Sequence, residues 1–156
     1  DRINKPIVLL GDKNDEEIGD KIVKFFERTE NSAPLEETLH QDLNKKAIIY
    51  NACGKFNLNQ SASLVREANV VLTNDTGLMH IAAAFKKKIL SFWGNTVPEF
   101  GMTPYQPDTA SKIMEVEDLK CRPCSKLGYQ KCPKKHFKCM KEMDVDEVTG
   151  WINKNF

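Results

Sequence analysis

The residues Asn74-Asp75-Thr76-Gly77-Leu78-Met79-His80 bring a capping side chain, a glycine and a histidine together where an apolar strand gives way to an apolar helix. The first backbone N–H groups of such a helix have no internal acceptors, and the helix dipole adds partial positive charge at the same place. A phosphate or diphosphate is the ligand that suits this geometry. Asp75 or Thr76 can cap the helix and fix the loop, and Gly77 lets a ligand approach closely. His80 lies about one turn further on. Helical side chains lean toward the N-terminus, so its imidazole can reach back over the anion and stabilise a departing phosphate. Asp75 and His80 are therefore the candidate catalytic pair. The plain alternative is that Asp75 only caps and His80 is an ordinary satisfied histidine. The segment is neither a phosphate-binding P-loop, which needs Gly-Lys-Ser/Thr, nor a Gly-x-Gly-x-x-Gly dinucleotide fingerprint.

A second concentration of chemistry lies in residues 120–141. Cys121, Cys124, Cys132 and Cys139 follow the spacing Cys-x2-Cys-x7-Cys-x6-Cys, and the same stretch has eight Lys or Arg and no acid. Four thiolates could hold a structural zinc, and the first pair has knuckle spacing. The later spacings are irregular, which favours reduced or disulfide-linked thiols that pin a loop. No catalytic metal is indicated. The basic run Lys126, Lys131, Lys134, Lys135, His136, Lys138 and Lys141 reads as the solvated flank of that loop, with a phosphorylated acceptor or an anionic membrane surface as the sharper alternative. The fifth cysteine, Cys53, precedes Gly54 and reads as a small buried residue.

The elements that must position these groups follow from the apolar runs. Residues 6–10, 47–50, 69–73, 88–93 and 111–116 read as strands, the last more exposed. Helices are expected after Asn14, with Ile18, Ile22, Phe25 and Phe26 inward; from Asn57 or Asn59 to Ala68, with Leu58, Ala62 and Val65 inward; from Leu78 to about Lys86; and at about 144–155, capped by Asp144. Thr29–Asn44 reads as a loop, with room for a short helix as the alternative, and Asn95–Pro107 as a loop. Alternating strands and helices imply an α/β fold, a Rossmann-like parallel sheet with helices on both faces. Ligands then bind beyond the carboxyl ends of the strands, which directs attention to the loops at Gly11, Cys53, Asn74 and Gly94.

The chain has 156 residues, 40% hydrophobic and 29% charged, with a net charge of +1. That suits one domain with a sizeable core and argues against a generic nucleic-acid or anionic-membrane binder. No stretch approaches the about 18 apolar residues of a membrane span. The near-zero charge averages eleven acids and six bases over 1–42 with the basic cysteine segment. Asp1 stands where an initiating Met would, and is expected to mark a boundary within something longer.

The chain resembles glycosyltransferase family 9, the ADP-heptose–lipopolysaccharide heptosyltransferases. The resemblance is carried by Gly54-Lys55-Phe56-Asn57-Leu58, by Asp75-Thr76-Gly77-Leu78-Met79-His80-Ile81-Ala82-Ala83-Ala84, by Trp93-Gly94-Asn95-Thr96, and by Cys132-Pro133 and Cys139-Met140. It implies the C-terminal half of a two-domain GT-B glycosyltransferase: residues 1–156 as a single nucleotide-sugar-binding domain, with the N-terminal acceptor domain, which supplies the general base, absent. By resemblance, Thr76, Gly77 and Leu78 hold the donor diphosphate, Phe56, Asn57 and Leu58 line the adenine, and Gly94, Asn95 and Thr96 face the sugar-phosphate. One of Asp12, Asp15 and Glu16 takes the ribose. Asn95-Thr96-Val97-Pro98 departs from the family's more usual Pro-Thr-Asp-Pro, losing an acid near the sugar. The partners implied are a nucleotide-sugar donor, a saccharide or lipid-linked acceptor and the N-terminal domain of the same polypeptide. No cofactor and no nucleic acid are implied, and the location is cytoplasmic, at most peripheral to the membrane. The chain alone is expected to be inactive. The competing reading is a freestanding nucleotide- or anion-binding domain, or a zinc-pinned interaction module.

Overall fold

The computed structural model of the chain describes residue 3, residues 5–31 and residues 48–156. They fall into two compact units, Asp1–Ser61 and Ala62–Phe156. Every described strand pairing is parallel and each sheet is flanked by helices, so the α/β reading holds.

In the first unit, β1 (Ile7–Leu9) pairs in register with β2 (Ile49–Asn51), and α1 (Glu16–Asn31) packs on β2. The helix does not start from an Asn14 cap. Asp12 caps a short 3-10 turn, Lys13–Asp15, by accepting the Asn14 N–H, while Asp15 accepts the Asp12 N–H in return. Two acids are thereby used on backbone donors before α1 begins. The inward face of α1 also differs from expectation. Ile18, Ile22 and Phe25 are exposed, whereas the adjacent stripe is turned in, with Gly19 buried and Val23 and the expected Phe26 half-buried. The reason is a polar anchor. Asn51 is buried; its Nδ2 donates to the Glu16 carbonyl (3.0 Å) and to Asp20 (2.7 Å), and its Oδ1 accepts the Cys53 N–H. A Cβ on Gly19 would stand 2.4 Å from Asn51 Oδ1, so only glycine lets the helix approach. A saturated buried amide outweighs the apolar periodicity here. Thr29–Asn31 extend α1 rather than opening a loop; the rest of the expected 29–44 loop, and Ala47, lie outside the described residues.

The helix α2 (Leu58–Glu67) begins at the end of the first unit and continues into the second. The Asn57 alternative is the one realised as its cap: Asn57 Oδ1 accepts the Gln60 N–H and Gln60 Oε1 accepts the Asn57 N–H, both at 3.0 Å. Val65 is buried, whereas Leu58, expected inward, is largely exposed.

The second unit is built on β3 (Val70–Asn74), β4 (Lys88–Trp93) and β5 (Lys112–Glu115), in that spatial order. Ile89, Ser91 and Trp93 on one face of β4 and Leu90 on the other are all essentially inaccessible, so the central strand is covered on both sides. Trp93 Nε1 donates to Ser91 Oγ, which gives the buried indole N–H its acceptor. β5 is the more exposed edge strand, as expected. The helix α3 (Gly77–Ala84) lays Met79, Ala82 and Ala83 onto β3 and β4. The short α4 (Lys138–Lys141) touches β4, and α5 (Val145–Asn155) closes the chain. Asp144 caps α5 by accepting the Asp146 and Glu147 N–H groups, as the sequence suggested. Trp151 Nε1 donates to the Ala110 carbonyl and Lys88 Nζ to that of Asn155, fixing α5 near the starts of β4 and β5. No helix among the described residues is long and apolar enough to cross a membrane.

Candidate functional site: a helix N-terminus at the carboxyl ends of β3 and β4

β3 and β4 run parallel with Asn74 aligned to Phe92, so the loops leaving both strands emerge side by side. From β3 comes Asp75-Thr76 and then α3. From β4 comes Gly94-Asn95-Thr96. These groups, with Leu78 and His80, are brought to one end of one sheet. Phe56, Asn57 and Leu58 belong to the first unit.

The N-terminus of α3 is open. Thr76 takes the N-cap position with extended backbone but makes no side-chain cap; its hydroxyl lies 3.2 Å from Thr73 Oγ1 instead. Asp75 does not cap the helix either. The capping expectation is corrected: Thr73 competes for the Thr76 hydroxyl, and the Asp75 carboxylate makes no cap bond to the helix. The consequence is useful: the first N–H groups of the helix keep their capacity for an external acceptor. A Cβ built on Gly77 meets nothing within 4 Å, so the space in front of the helix is clear. His80 is exposed, with no hydrogen-bond partner among the described residues.

The β4 exit is tied down. A Cβ on Gly94 would come 2.8 Å from Met140 Sδ, so this glycine serves the packing of α4. Asn95 Nδ2 donates to the Tyr129 carbonyl (2.8 Å) and its own carbonyl accepts the Cys124 N–H (2.8 Å). Thr96 is buried. In the first unit the Asn57 amide is committed to capping α2, while Phe56 and Leu58 present apolar side chains to solvent.

Sequence reasoning missed Arg122. Its side chain is only 7% exposed. Nε donates to the Gly94 carbonyl, Nη1 to that of Val116 (2.9 Å), and Nη2 to Trp93 O (3.1 Å), Thr96 O (2.9 Å) and Glu115 Oε2 (2.8 Å). The only sequence signal was an arginine set between two cysteines in a loop that had to be pinned.

The cysteines are all free thiols, and among the described residues no three His, Cys, Asp or Glu side chains gather as a metal site. His136 Nδ1 accepts the Lys138 N–H at 3.1 Å, which assigns the imidazole proton to Nε2, 3.8 Å from Cys121 Sγ. The imidazole thus faces the sulfur as a donor. The thiols differ in acidity. The Phe137 N–H, aided by those of Lys134, His136 and Lys135, outweighs desolvation and lowers Cys132 below the ordinary thiol range. Burial raises Cys53, Cys124 and Cys139, with nearby Asp15 adding to the effect at Cys53. Only the thiolate reacts with an alkylating agent. Cys132 is therefore expected to react first with iodoacetamide at pH 7 and to stay reactive at lower pH than an unfolded cysteine. The other three should respond only above the usual thiol range. Peptide mapping of a timed alkylation checks this, and faster labelling of Cys53 than of Cys132 would contradict it.

The model of the family described as glycosyltransferase family 9 (heptosyltransferase) matches residues 7–135. Lipooligosaccharide heptosyltransferase 2 of Haemophilus influenzae is 32% identical over 124 residues, covering 78% of this chain and 31% of that protein. The protein of the same name from Campylobacter jejuni is 33% identical over 112 residues, covering 70% and 33%. The chain thus spans about a third of the length of the curated relatives it matches. Among solved structures, the ADP-heptose LPS heptosyltransferase II of E. coli superposes with a TM-score of 0.63 at 20% identity, covering 96% of this chain and 35% of the other. A glycosyltransferase family 9 structure from Veillonella parvula gives 0.61 at 20% identity, covering 94% and 35%. With the Asp-Thr-Gly-x-x-His loop opening onto an uncapped helix and a family match that runs through both units, this chain belongs to glycosyltransferase family 9.

Proposed function

We propose that this chain is the donor-binding part of a heptosyltransferase of lipopolysaccharide core biosynthesis, acting as one nucleotide-sugar-binding domain over residues 1–156. The observation that carries the reading is the uncapped N-terminus of α3 at the carboxyl end of β3, with clear space before Gly77. The Gly77 and Leu78 N–H groups, with the Thr76 backbone beside them, hold the diphosphate of an ADP-sugar. The N–H groups are fixed before the reaction, so they stabilise charge as it develops on the leaving diphosphate without reorganising. His80, exposed one turn along, donates to the same phosphate, and Asp75 orients the loop. Phe56 and Leu58 offer apolar surface to a base, and one of Asp12, Asp15 and Glu16 takes the ribose. Asp12 and Asp15 already hold backbone donors, which leaves Glu16 the least committed of the three.

The acceptor is a saccharide carried on a lipid. Its contacts and the general base come from the N-terminal domain that the family resemblance assigns to the whole enzyme, working at the cytoplasmic face of the membrane. A metal is not required where the helix dipole, the backbone N–H groups and a cation neutralise the leaving diphosphate.

Titration calorimetry of the chain with ADP, UDP and GDP tests the proposal. Binding of ADP in the micromolar to millimolar range, with no sugar transfer by the chain alone, is the expected result. No heat with any nucleoside diphosphate at millimolar concentration would refute donor binding. Turnover by the isolated chain would refute the assignment of the general base elsewhere.

A further inference from the structure

We propose that the cysteine segment, residues 120–141, is a docking surface for the anionic face of a phospholipid bilayer, with Leu127 and Tyr129 as its apolar tip and its exposed lysines as its charge. The inference rests on the proposed placement at the membrane for its choice of occupant, and deepens it by naming the part of the chain that makes the contact. It does not require donor binding.

A single exposed apolar side chain is ordinary on a protein surface. Leu127 is less ordinary. It is 89% exposed, the highest value of any large hydrophobic side chain among the described residues. The loop that presents it is also held firmly. Ser125 Oγ donates to the Gly128 carbonyl (3.0 Å), Asn95 Nδ2 donates to the Tyr129 carbonyl (2.8 Å), and the Cys124 N–H donates to the Asn95 carbonyl (2.8 Å). Gly128 has a φ of 77°, and a Cβ there would stand 2.5 Å from Asn95 Oδ1, so glycine is what lets the loop sit against the β4 exit. A loose loop can fold an apolar tip back onto the protein; this one is fixed with Leu127 in water. Tyr129, two residues on, is 53% exposed. A tyrosine combines an apolar ring with a polar tip, which suits the boundary between headgroups and hydrocarbon.

The charge of the segment is uncompensated. Of its eight bases, Arg122 is neutralised by Glu115 and Lys138 pairs with Glu142 at 3.3 Å. The other six, Lys120, Lys126, Lys131, Lys134, Lys135 and Lys141, are exposed and have no acid partner among the described residues. The turn that carries Lys134 and Lys135 is closed on its own sulfur, since the N–H groups of residues 134–137 converge on Cys132. His136 Nε2 lies 3.8 Å from Cys121 Sγ and ties that turn to the part of the segment that leads to Leu127. The whole chain carries a net charge of only +1, so any attraction to an anionic surface is local to this segment. The pairing of charge with an apolar tip selects the occupant. A soluble phosphorylated saccharide uses the lysines and leaves Leu127 in water. A purely apolar protein groove takes Leu127 and leaves the lysines unmatched. A bilayer presents anionic headgroups above hydrocarbon, and so engages both.

The test is co-sedimentation of the chain with vesicles of phosphatidylcholine alone and of phosphatidylcholine mixed with phosphatidylglycerol. At low salt the wild type should bind the mixed vesicles and not the neutral ones, and about 0.5 M salt should release it. The double variant Lys134→Gln with Lys135→Gln should lower the partition coefficient about 30-fold, a factor of about five for each lysine. Leu127→Ser should lower it about tenfold. A charge-matched control, Lys24→Gln with Lys154→Gln, should stay within about twofold of wild type, because neither lysine belongs to the segment. All the substituted side chains are exposed, and a thermal melt checks that each variant is folded. Equal binding to neutral and anionic vesicles, or a control that loses as much as the Lys134 and Lys135 pair, would overturn the inference. Binding that survives every segment variant would keep the membrane placement and overturn this surface. Displacement from the vesicles by inositol hexakisphosphate, with Leu127→Ser binding as the wild type does, would assign the lysines to a soluble phosphorylated ligand and overturn it too. ADP affinity, measured on the same proteins, should not change. Failure of vesicle binding with ADP binding intact would overturn the surface and leave the donor reading. Vesicle binding without ADP binding would do the reverse.

Discussion

Replacing Arg122 by methionine is expected to lower the unfolding free energy of the second unit by about 3–5 kcal/mol, because it takes a buried guanidinium away from four carbonyls and from the part-exposed Glu115 carboxylate. Methionine keeps the apolar stem but abandons four carbonyls at the carboxyl ends of β4 and β5, together with Glu115. Those carbonyls belong to Trp93, Gly94, Thr96 and Val116, so the loss falls on the strand ends and not on a single contact. Glu115→Gln provides the contrast. Its amide oxygen still accepts from Nη2, and the cost should be about 1 kcal/mol. Both tryptophans, Trp93 and Trp151, lie in the second unit and are buried, so their fluorescence in a urea titration reports on it directly. A loss below about 1 kcal/mol for Arg122→Met would mean that water replaces the guanidinium without penalty.

The contrast between Arg122 and Asp75 shows where sequence reading succeeds. The strand ending in Asn74, the turn and the apolar helix after Gly77 were legible because each leaves a mark in side-chain type: a run of β-branched residues, a short polar pair, a glycine. Asp144 was legible for the same reason, since an N-cap is a side-chain event at a helix start. Arg122 acts almost wholly on carbonyl oxygens, and every residue has one, so its partners carry no signature. The missed face of α1 has a related cause. Ile18, Ile22 and Phe25 keep helical spacing, yet the helix is turned by Asn51 of β2, distant in sequence, through bonds to Glu16 O and Asp20. Local periodicity reports an apolar stripe; it does not report which polar anchor chooses the stripe to bury. The functional loops share this limit. Thr76 looked like a cap and sits at the cap position, but Thr73 holds its hydroxyl, and that small competition leaves the helix end open. The family match was legible because it depends on residue types in order, whereas the geometry of the open helix end depends on where backbone groups point.

Gly77→Asp should separate the fold from the site, because it is expected to move stability and binding in opposite directions. Gly77 is the first residue of α3, and a Cβ added there would have nothing within 4 Å, so a new side chain meets no steric obstacle. An aspartate there faces the positive end of the helix dipole and the uncapped N–H groups, and should stabilise the helix by about 0.3–1 kcal/mol. The same carboxylate would occupy the ground proposed for the diphosphate and repel it. At about 5 Å and a dielectric between that of water and a protein surface, each pair of unit charges contributes roughly 1–3 kcal/mol. Affinity for ADP should therefore fall at least about tenfold. Gly77→Ala, which adds bulk without charge, should weaken ADP far less and leave the melting temperature near that of the wild type. Calorimetry and thermal melts on the three proteins provide the readout. If Gly77→Asp binds ADP as the wild type does while remaining folded, the diphosphate does not sit at the end of α3, and the chemistry assigned to His80 loses its substrate. If binding and stability fall together, the glycine is serving the fold. Only a loss of ADP with stability kept or raised matches an N-terminus left open for an anion.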